Sequence, residues 1–170
     1  GNWLRNVLLV AGVDVSGLTL SAQERTTLAF VATRRDGQKD ICFYRNPGAD
    51  SSFGWELVNS DQLAKARAFH CGSVSLSAQP CRQSQFMAAD VARAAGALIS
   101  FDPNWRPSLW SDFDQARSLI WEMIEKSDIV KVADEEWEFV TGSADFERGV
   151  ELIMQSGPKL VVMTRGARGA

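Results

Sequence analysis

Apolar residues near the start of the chain recur at helical spacing. Leu4, Val7, Leu8 and Ala11 share one face of a helix read over residues 3–11, and Gly12 follows where a left-handed C-terminal cap is expected. The pattern then changes period. Residues 26–33 (TTLAFVAT) and 40–45 (DICFYR) are rich in β-branched and aromatic side chains and flank Asp36-Gly37, a turn signal, so they read as a β-hairpin. Beyond residue 67 short apolar runs begin near Ala68, Ala97, Asp128 and Lys159, about 30 residues apart, which is the length of a strand–helix–strand unit.

Amphipathic stretches fill the intervals. Met87, Val91, Ala94 and Ala95 make one stripe, with Pro80 near its start and Gly96 at its end. Ala116, Leu119, Ile120, Met123 and Ile124 make a second, with Ser111 as its N-cap and Asp112 and Asp114 complementing the positive helix start. Asp134–Glu136 open a third helix closed by Gly142, and Phe146, Val150, Ile153 and Met154 form a fourth that Gly157-Pro158 stops. This alternation predicts an α/β fold with a mainly parallel sheet covered by helices and right-handed crossovers. The hairpin falls outside that alternation and belongs to a smaller β element such as a lid. The chain divides into an N-terminal helix and connection (1–25), the hairpin (26–50) and a parallel βα segment (51–170).

Composition narrows the possibilities only a little. With 170 residues, 45% apolar and 23% charged, the chain has enough apolar surface for a core, which excludes a disordered polymer. No apolar run approaches the roughly 18–20 residues of a membrane span. The net charge of −3 argues against a nucleic-acid partner. Three cysteines, one histidine and no Cys-x-x-Cys argue against a disulfide scaffold or a zinc site and for a reducing, cytoplasmic compartment.

In a parallel α/β sheet ligands bind beyond the carboxyl ends of the strands, so the residues that follow each apolar run are the candidates. The second run leads into Asp102-Pro103-Asn104-Trp105-Arg106-Pro107, which gathers an acceptor, an amide and a guanidinium in a loop stiffened by two prolines. A ligand clamp and a loop held by its own Asp–Arg pair suit it equally. The third leads into Asp134-Glu135-Glu136, which complements a helix dipole or acts near a phosphate. The fourth leads into Thr164-Arg165-Gly166-Ala167-Arg168-Gly169. Its glycines let backbone N–H groups approach phosphate oxygens, and it serves equally as a plain turn. Gly12–Thr19 has the spacing of a P-loop, but Leu18 stands where the phosphate-binding Lys is required, and it reads as a turn. His70 and Cys71 are adjacent on a strand and point to opposite faces, so they make no nucleophile–base pair.

Four segments, in order, resemble the ribokinase-like (phosphofructokinase-B) carbohydrate kinases, and within them the fructokinases. They are Phe43-Tyr44-Arg45-Asn46-Pro47-Gly48-Ala49-Asp50, Phe101–Trp110, Lys131–Glu136 with Phe139-Val140-Thr141-Gly142 behind it, and Thr164–Gly169. The resemblance implies a three-layer α/β/α domain with a small β-lid, and transfer of the ATP γ-phosphate to a sugar hydroxyl with Mg²⁺. It implies that Phe43 and Arg45 face the sugar from the lid, that Asn104 and Arg106 contact it from the sheet, and that Asp102 lies nearer the phosphates. Glu136 would act on Mg²⁺ through water, and Thr164, Gly166 and Gly169 would touch the nucleotide.

It also implies that the segment is incomplete. The family's base, the Asp of a Gly-Ala-Gly-Asp motif, has no counterpart in these 170 residues and is expected beyond residue 170. The N-terminal sugar-binding Asp has none either, and Ala133 replaces the usual Asn or Ser of the Asn-x-x-Glu element. The expectation is an intact fructokinase, a homodimer through its lid, with no turnover from this segment alone. A 2-keto-3-deoxygluconate kinase, whose acid Arg45 and Arg106 would suit, and a non-catalytic sugar- or nucleotide-binding module are the alternatives.

Overall fold

A computed structural model describes residues 1–35, 37, 39–45 and 48–170. Helix α1 (Asn2–Val10) ends as the sequence predicts: Gly12 has φ +79°, and the Gly12 and Val13 amides donate to the carbonyls of Leu9 and Leu8. Only glycine takes this left-handed turn at no steric cost, and the two bonds satisfy carbonyls the helix would otherwise leave open. The stripe of α1 is only partly covered: Leu8 is half-buried, while Leu4, Val7 and Ala11 are exposed.

Strands β1 (Leu28–Thr33) and β2 (Lys39–Tyr44) pair antiparallel, Leu28 opposite Tyr44 through Thr33 opposite Lys39, as a separate two-stranded sheet. Asp36 of the expected turn lies outside the described residues.

The rest is a parallel sheet flanked by helices. A four-residue helix α2 (Ser60–Leu63), capped by Asn59, precedes β3 (Ala68–Gly72). Then come α3 (Cys81–Ala94), β4 (Leu98–Asp102), α4 (Phe113–Glu125), β5 (Ile129–Ala133), α5 (Trp137–Thr141), α6 (Phe146–Gln155) and β6 (Leu160–Thr164). The order in space is that in the chain, β3-β4-β5-β6, so each crossover moves one strand along. Ile99, Phe101, Val130 and Val132 are buried completely, while the alternate residues Ser100, Asp102, Ile129 and Lys131 are only half-buried. The buried set packs on Ala116, Ile120, Met123 and Ile124 of α4, the stripe read from the sequence, and on Ala89 and Ala92 of α3. The stripe read for α3 is not its core face: Met87 and Val91 are half-buried and Ala94 and Ala95 exposed, while the small and polar residues Ser84, Gln85, Ala88, Ala89 and Ala92 are buried, because the close approach of helix to sheet selects small side chains there.

One boundary shifts. Asp112, and not Ser111, caps α4: its Oδ1 accepts from the amides of Asp114 (2.9 Å) and Gln115 (3.0 Å). Either residue type can cap, and the cap falls where extended backbone turns into helix. Among the described residues no helix is long and apolar enough to cross a membrane.

Candidate active site

Strand register assembles the site. Gly72 lies opposite Asp102, Phe101 opposite Val130, and Ala133 opposite Thr164, so the carboxyl ends of all four strands lie at one edge of the sheet, with β5 and β6 running two residues beyond β3 and β4. The three loops nominated from the sequence, after β4, β5 and β6, therefore leave the sheet side by side. The Ser73 amide donates to the Pro103 carbonyl (3.0 Å), tying the loop after β3 to the loop after β4. A hollow of about 270 Å³ opens there, lined by His70, Cys71, Gly72, Ser75, Asp102 and Asn104. A larger hollow of about 470 Å³ runs beside β3, between α2 and α3, and none of the sequence-selected residues lines it.

The loop after β4 is stiff. Asn104 takes φ +45°, a conformation Asn tolerates better than most residues, and its Oδ1 accepts from Arg106 Nη2 at 2.5 Å. Arg106 Nη1 donates to the Trp105 carbonyl at 3.0 Å. Trp105 stacks on Phe139 with centroids 4.0 Å apart, meets Phe113 edge-on at 5.3 Å, and lies 6.0 Å from Trp110. These aromatic contacts fasten the middle of the loop and leave Asn104 and Arg106 on its open side.

Glu136 is buried at the far side of this loop. One carboxylate oxygen accepts the Ala133 amide at 2.9 Å and the other accepts the Trp105 amide. The carboxylate thus joins the end of β5 to the loop after β4. Burial raises its pKa above the ordinary glutamate value; the two amides and Lys131 act the other way, and Asp102 adds to the rise.

Asp102 pairs with Lys131 Nζ at 3.0 Å across neighbouring strands. Lys131 was missed as a candidate on its own account: 29 positions separate the pair in the chain, and only the parallel register makes them neighbours. Gly166 (φ +56°) and Gly169 (φ +87°) both take left-handed backbone after β6, and Arg165 N–H closes the turn on the Gly169 carbonyl at 2.7 Å. A Cβ on either glycine would meet nothing within 4 Å, so the turn presents bare backbone to open space, the form a phosphate cradle takes. Arg168 reaches from this turn to Asp134 at 2.7 Å.

Phe43 lies half-buried on β2. Arg45, just past β2, is turned into the protein with only 6% of its side chain exposed. It donates from Nε to Asp50 Oδ2 and from Nη1 to Ser77 Oγ, both at 2.7 Å. Asn46 and Pro47 of the same motif lie outside the described residues.

The donor set for a metal is thin. Both oxygens of Glu136 already accept amides, and among the described residues no three His, Cys, Asp or Glu side chains gather to hold an ion. These residues do not fit a directly ligated Mg²⁺.

The pfkB family carbohydrate kinase profile matches residues 1–170. The chain belongs to the pfkB carbohydrate kinase family. It is 40% identical over 171 residues to probable fructokinase-4 of Arabidopsis thaliana and 41% identical over 170 residues to fructokinase-1 of Oryza sativa subsp. japonica. Each alignment covers 99% of this chain but only 52% and 53% of the relative, so the chain spans about half the length of the curated relatives it matches. Among solved structures, a PfkB protein from Polaromonas sp. JS666 superposes with a TM-score of 0.89 at 30% identity, over 99% of this chain and 57% of that one. Fructokinase with bound ATP from Xylella fastidiosa gives 0.87 at 32% identity, over 98% and 52%. Fructokinase from Vibrio cholerae O395, in its fructose-, ADP- and calcium-bound form, gives 0.88 at 28% identity, over 99% and 54%. The parallel sheet with flanking helices read from the sequence is thus the fold of this family.

Proposed function

We propose that this chain is the sugar- and nucleotide-positioning part of an ATP-dependent fructokinase. The observation that carries the reading is the alignment of strand ends: it brings the Asp102–Arg106 loop and the Thr164–Gly169 turn to one edge of the sheet, with a hollow of sugar size beside Asp102 and Asn104. ATP supplies the γ-phosphoryl group. Thr164, Gly166 and Gly169 hold the phosphates by a hydroxyl and backbone amides, and Asn104, Arg106, Phe43 and Arg45 orient the sugar. Asp102, paired with Lys131, lies on the phosphate side. Phosphoryl transfer depends mostly on such positioning and charge stabilisation. Glu136, both of whose oxygens accept amides, would act on Mg²⁺ only through water; its direct work is to hold the loop after β4. The general base belongs to a Gly-Ala-Gly-Asp motif that these residues do not contain, and a base contributes about 10²–10⁴-fold.

The β1–β2 hairpin is the lid. Phe30 and Val31 are exposed on it, which suits closure over the site and pairing with a second copy. The unpaired Cys42, Cys71 and Cys81 suit the cytoplasm. A coupled ADP-release assay on the product of the complete reading frame, with fructose and a panel of other sugars, tests the proposal. Fructose-dependent turnover that vanishes in Asn104→Ala and Arg106→Ala is expected; no turnover with any sugar refutes it.

A further inference from the structure

Arg45 is held by the protein on two of its three nitrogens. Nε donates to Asp50 Oδ2 and Nη1 to Ser77 Oγ, each at 2.7 Å. The third, Nη2, is buried and has no hydrogen-bond partner among the described residues. A buried N–H without an acceptor is costly, so this nitrogen is the one the fold leaves for a ligand oxygen.

Asp50 is itself held in place. Thr27 Oγ1 donates to its other oxygen, and Gly48 packs so closely that a Cβ there would stand 2.1 Å from Thr27 Oγ1 and 2.8 Å from Asp50 Oδ1. The carboxylate is therefore fastened from the segment before β1 and set against the guanidinium that follows β2.

We infer that Asp50 sets the charge preference of the sugar site: it matches the charge of Arg45 and leaves a directed donor without a free positive charge, which favours an uncharged sugar over a sugar acid. This rests on the reading of Arg45 as a sugar-facing residue. A guanidinium lacking a carboxylate partner takes a ligand carboxylate as its best acceptor, whereas one already paired offers an N–H that a hydroxyl satisfies as well. Among the described residues Arg106 bonds only to the Asn104 side chain and the Trp105 carbonyl, and its charge is the same with or without Asp50, so it drops out of the comparison. Asp50 acts through Arg45 and is a positioning residue.

The test compares wild-type, Asp50→Asn, Asp50→Ser and Thr27→Val forms of the protein encoded by the complete reading frame. For each, kcat and KM are measured with fructose, and 2-keto-3-deoxygluconate is measured as substrate or competitive inhibitor. Both Asp50 variants should shift the fructose-to-acid preference about tenfold toward the acid, chiefly through tighter binding of the acid. Thr27→Val removes a tether of the same carboxylate but keeps its charge, and should move the preference less than about twofold. Equal losses for both ligands in the Asp50 variants, or an equal shift in Thr27→Val, would make Asp50 a purely structural group and overturn the inference alone. A wild-type protein that phosphorylates neither compound overturns the sugar-kinase reading and the inference with it.

Discussion

Replacing Glu136 by Ala tests whether this carboxylate is a structural clasp of the sugar loop. The side chain accepts two backbone amides, Ala133 and Trp105, in a buried place. An amide left without an acceptor costs about 1–3 kcal/mol, so losing both costs roughly 2–6 kcal/mol. Burial of the charge works the other way: it is the largest cause of the raised pKa, and its removal offsets part of the loss. A net destabilisation of about 2–4 kcal/mol is expected, equivalent to a fall of roughly 4–16 °C in Tm at this chain length. Glu136→Gln keeps one acceptor and turns an NH₂ donor toward the other amide, so it should fall between the two.

The pH dependence gives a second, independent handle. The folded-state pKa lies above the unfolded value, so the folded protein binds more protons between the two and its stability falls as the pH rises through that window. The contribution of Glu136 is complete below the ordinary glutamate pKa and smallest at neutral pH. The stability gap between wild type and Glu136→Ala should therefore widen as the pH is lowered from 7 toward 4.5. Thermal unfolding followed by circular dichroism across that range measures it. A variant that melts within about 2 °C of wild type would refute the clasp, and a gap that widens as the pH rises would mean that the two amides outweigh burial at this carboxylate.

Three further outcomes follow from the same coordinates. Gly149→Ala should cost about 1–3 kcal/mol by denaturant unfolding, because its Cβ would stand 2.5–2.9 Å from the buried Trp137 ring. Gly166→Ala and Gly169→Ala meet no atom but must hold left-handed backbone, at about 1–2 kcal/mol each; ATP titration should show weaker binding, with little change in the far-ultraviolet spectrum. At pH 8 a thiol reagent should label exposed Cys42 well before Cys71, whose pKa burial pushes up to about 12, and equal labelling rates would contradict the placement of β3.

How much of this was legible beforehand depended on whether the cause was local. The four parallel strands and the buried face of α4 were, because their apolar periods are written within each segment; so were the loops, because position after a strand is enough to nominate them. The buried face of α3 was not, because it is built of small and polar residues, Ser84, Gln85, Ala88, Ala89 and Ala92, that carry little apolar signal. The four-residue α2 was not, being too short to show a period, and the cap of α4 was read one residue early because Ser111 and Asp112 are both competent caps. The partners inside the site were the least legible. Glu136 was nominated for an ion, yet its two oxygens accept amides, one of them 31 positions away. Arg45 was nominated for the sugar, yet two of its nitrogens serve Asp50 and Ser77, the latter 32 positions away.

These unforeseen partners have one physical source. A motif names the residue types a reaction needs, but a charged group that leaves water must first be matched by the protein, and the match is made by whichever backbone or side chain the register brings beside it. Lys131 faces Asp102, and Asp50 faces Arg45, so two of the charges that the motifs present as free for a ligand are already balanced. On the proposed sugar-kinase reading, what remains for the substrate is one nitrogen of Arg45, the donors of Arg106 beyond those spent on its own loop, and the bare amides around Gly166 and Gly169. Charge that is already matched can aim a donor without attracting an ion, and on that reading a site built this way would select its sugar by the direction of its hydrogen bonds more than by net attraction.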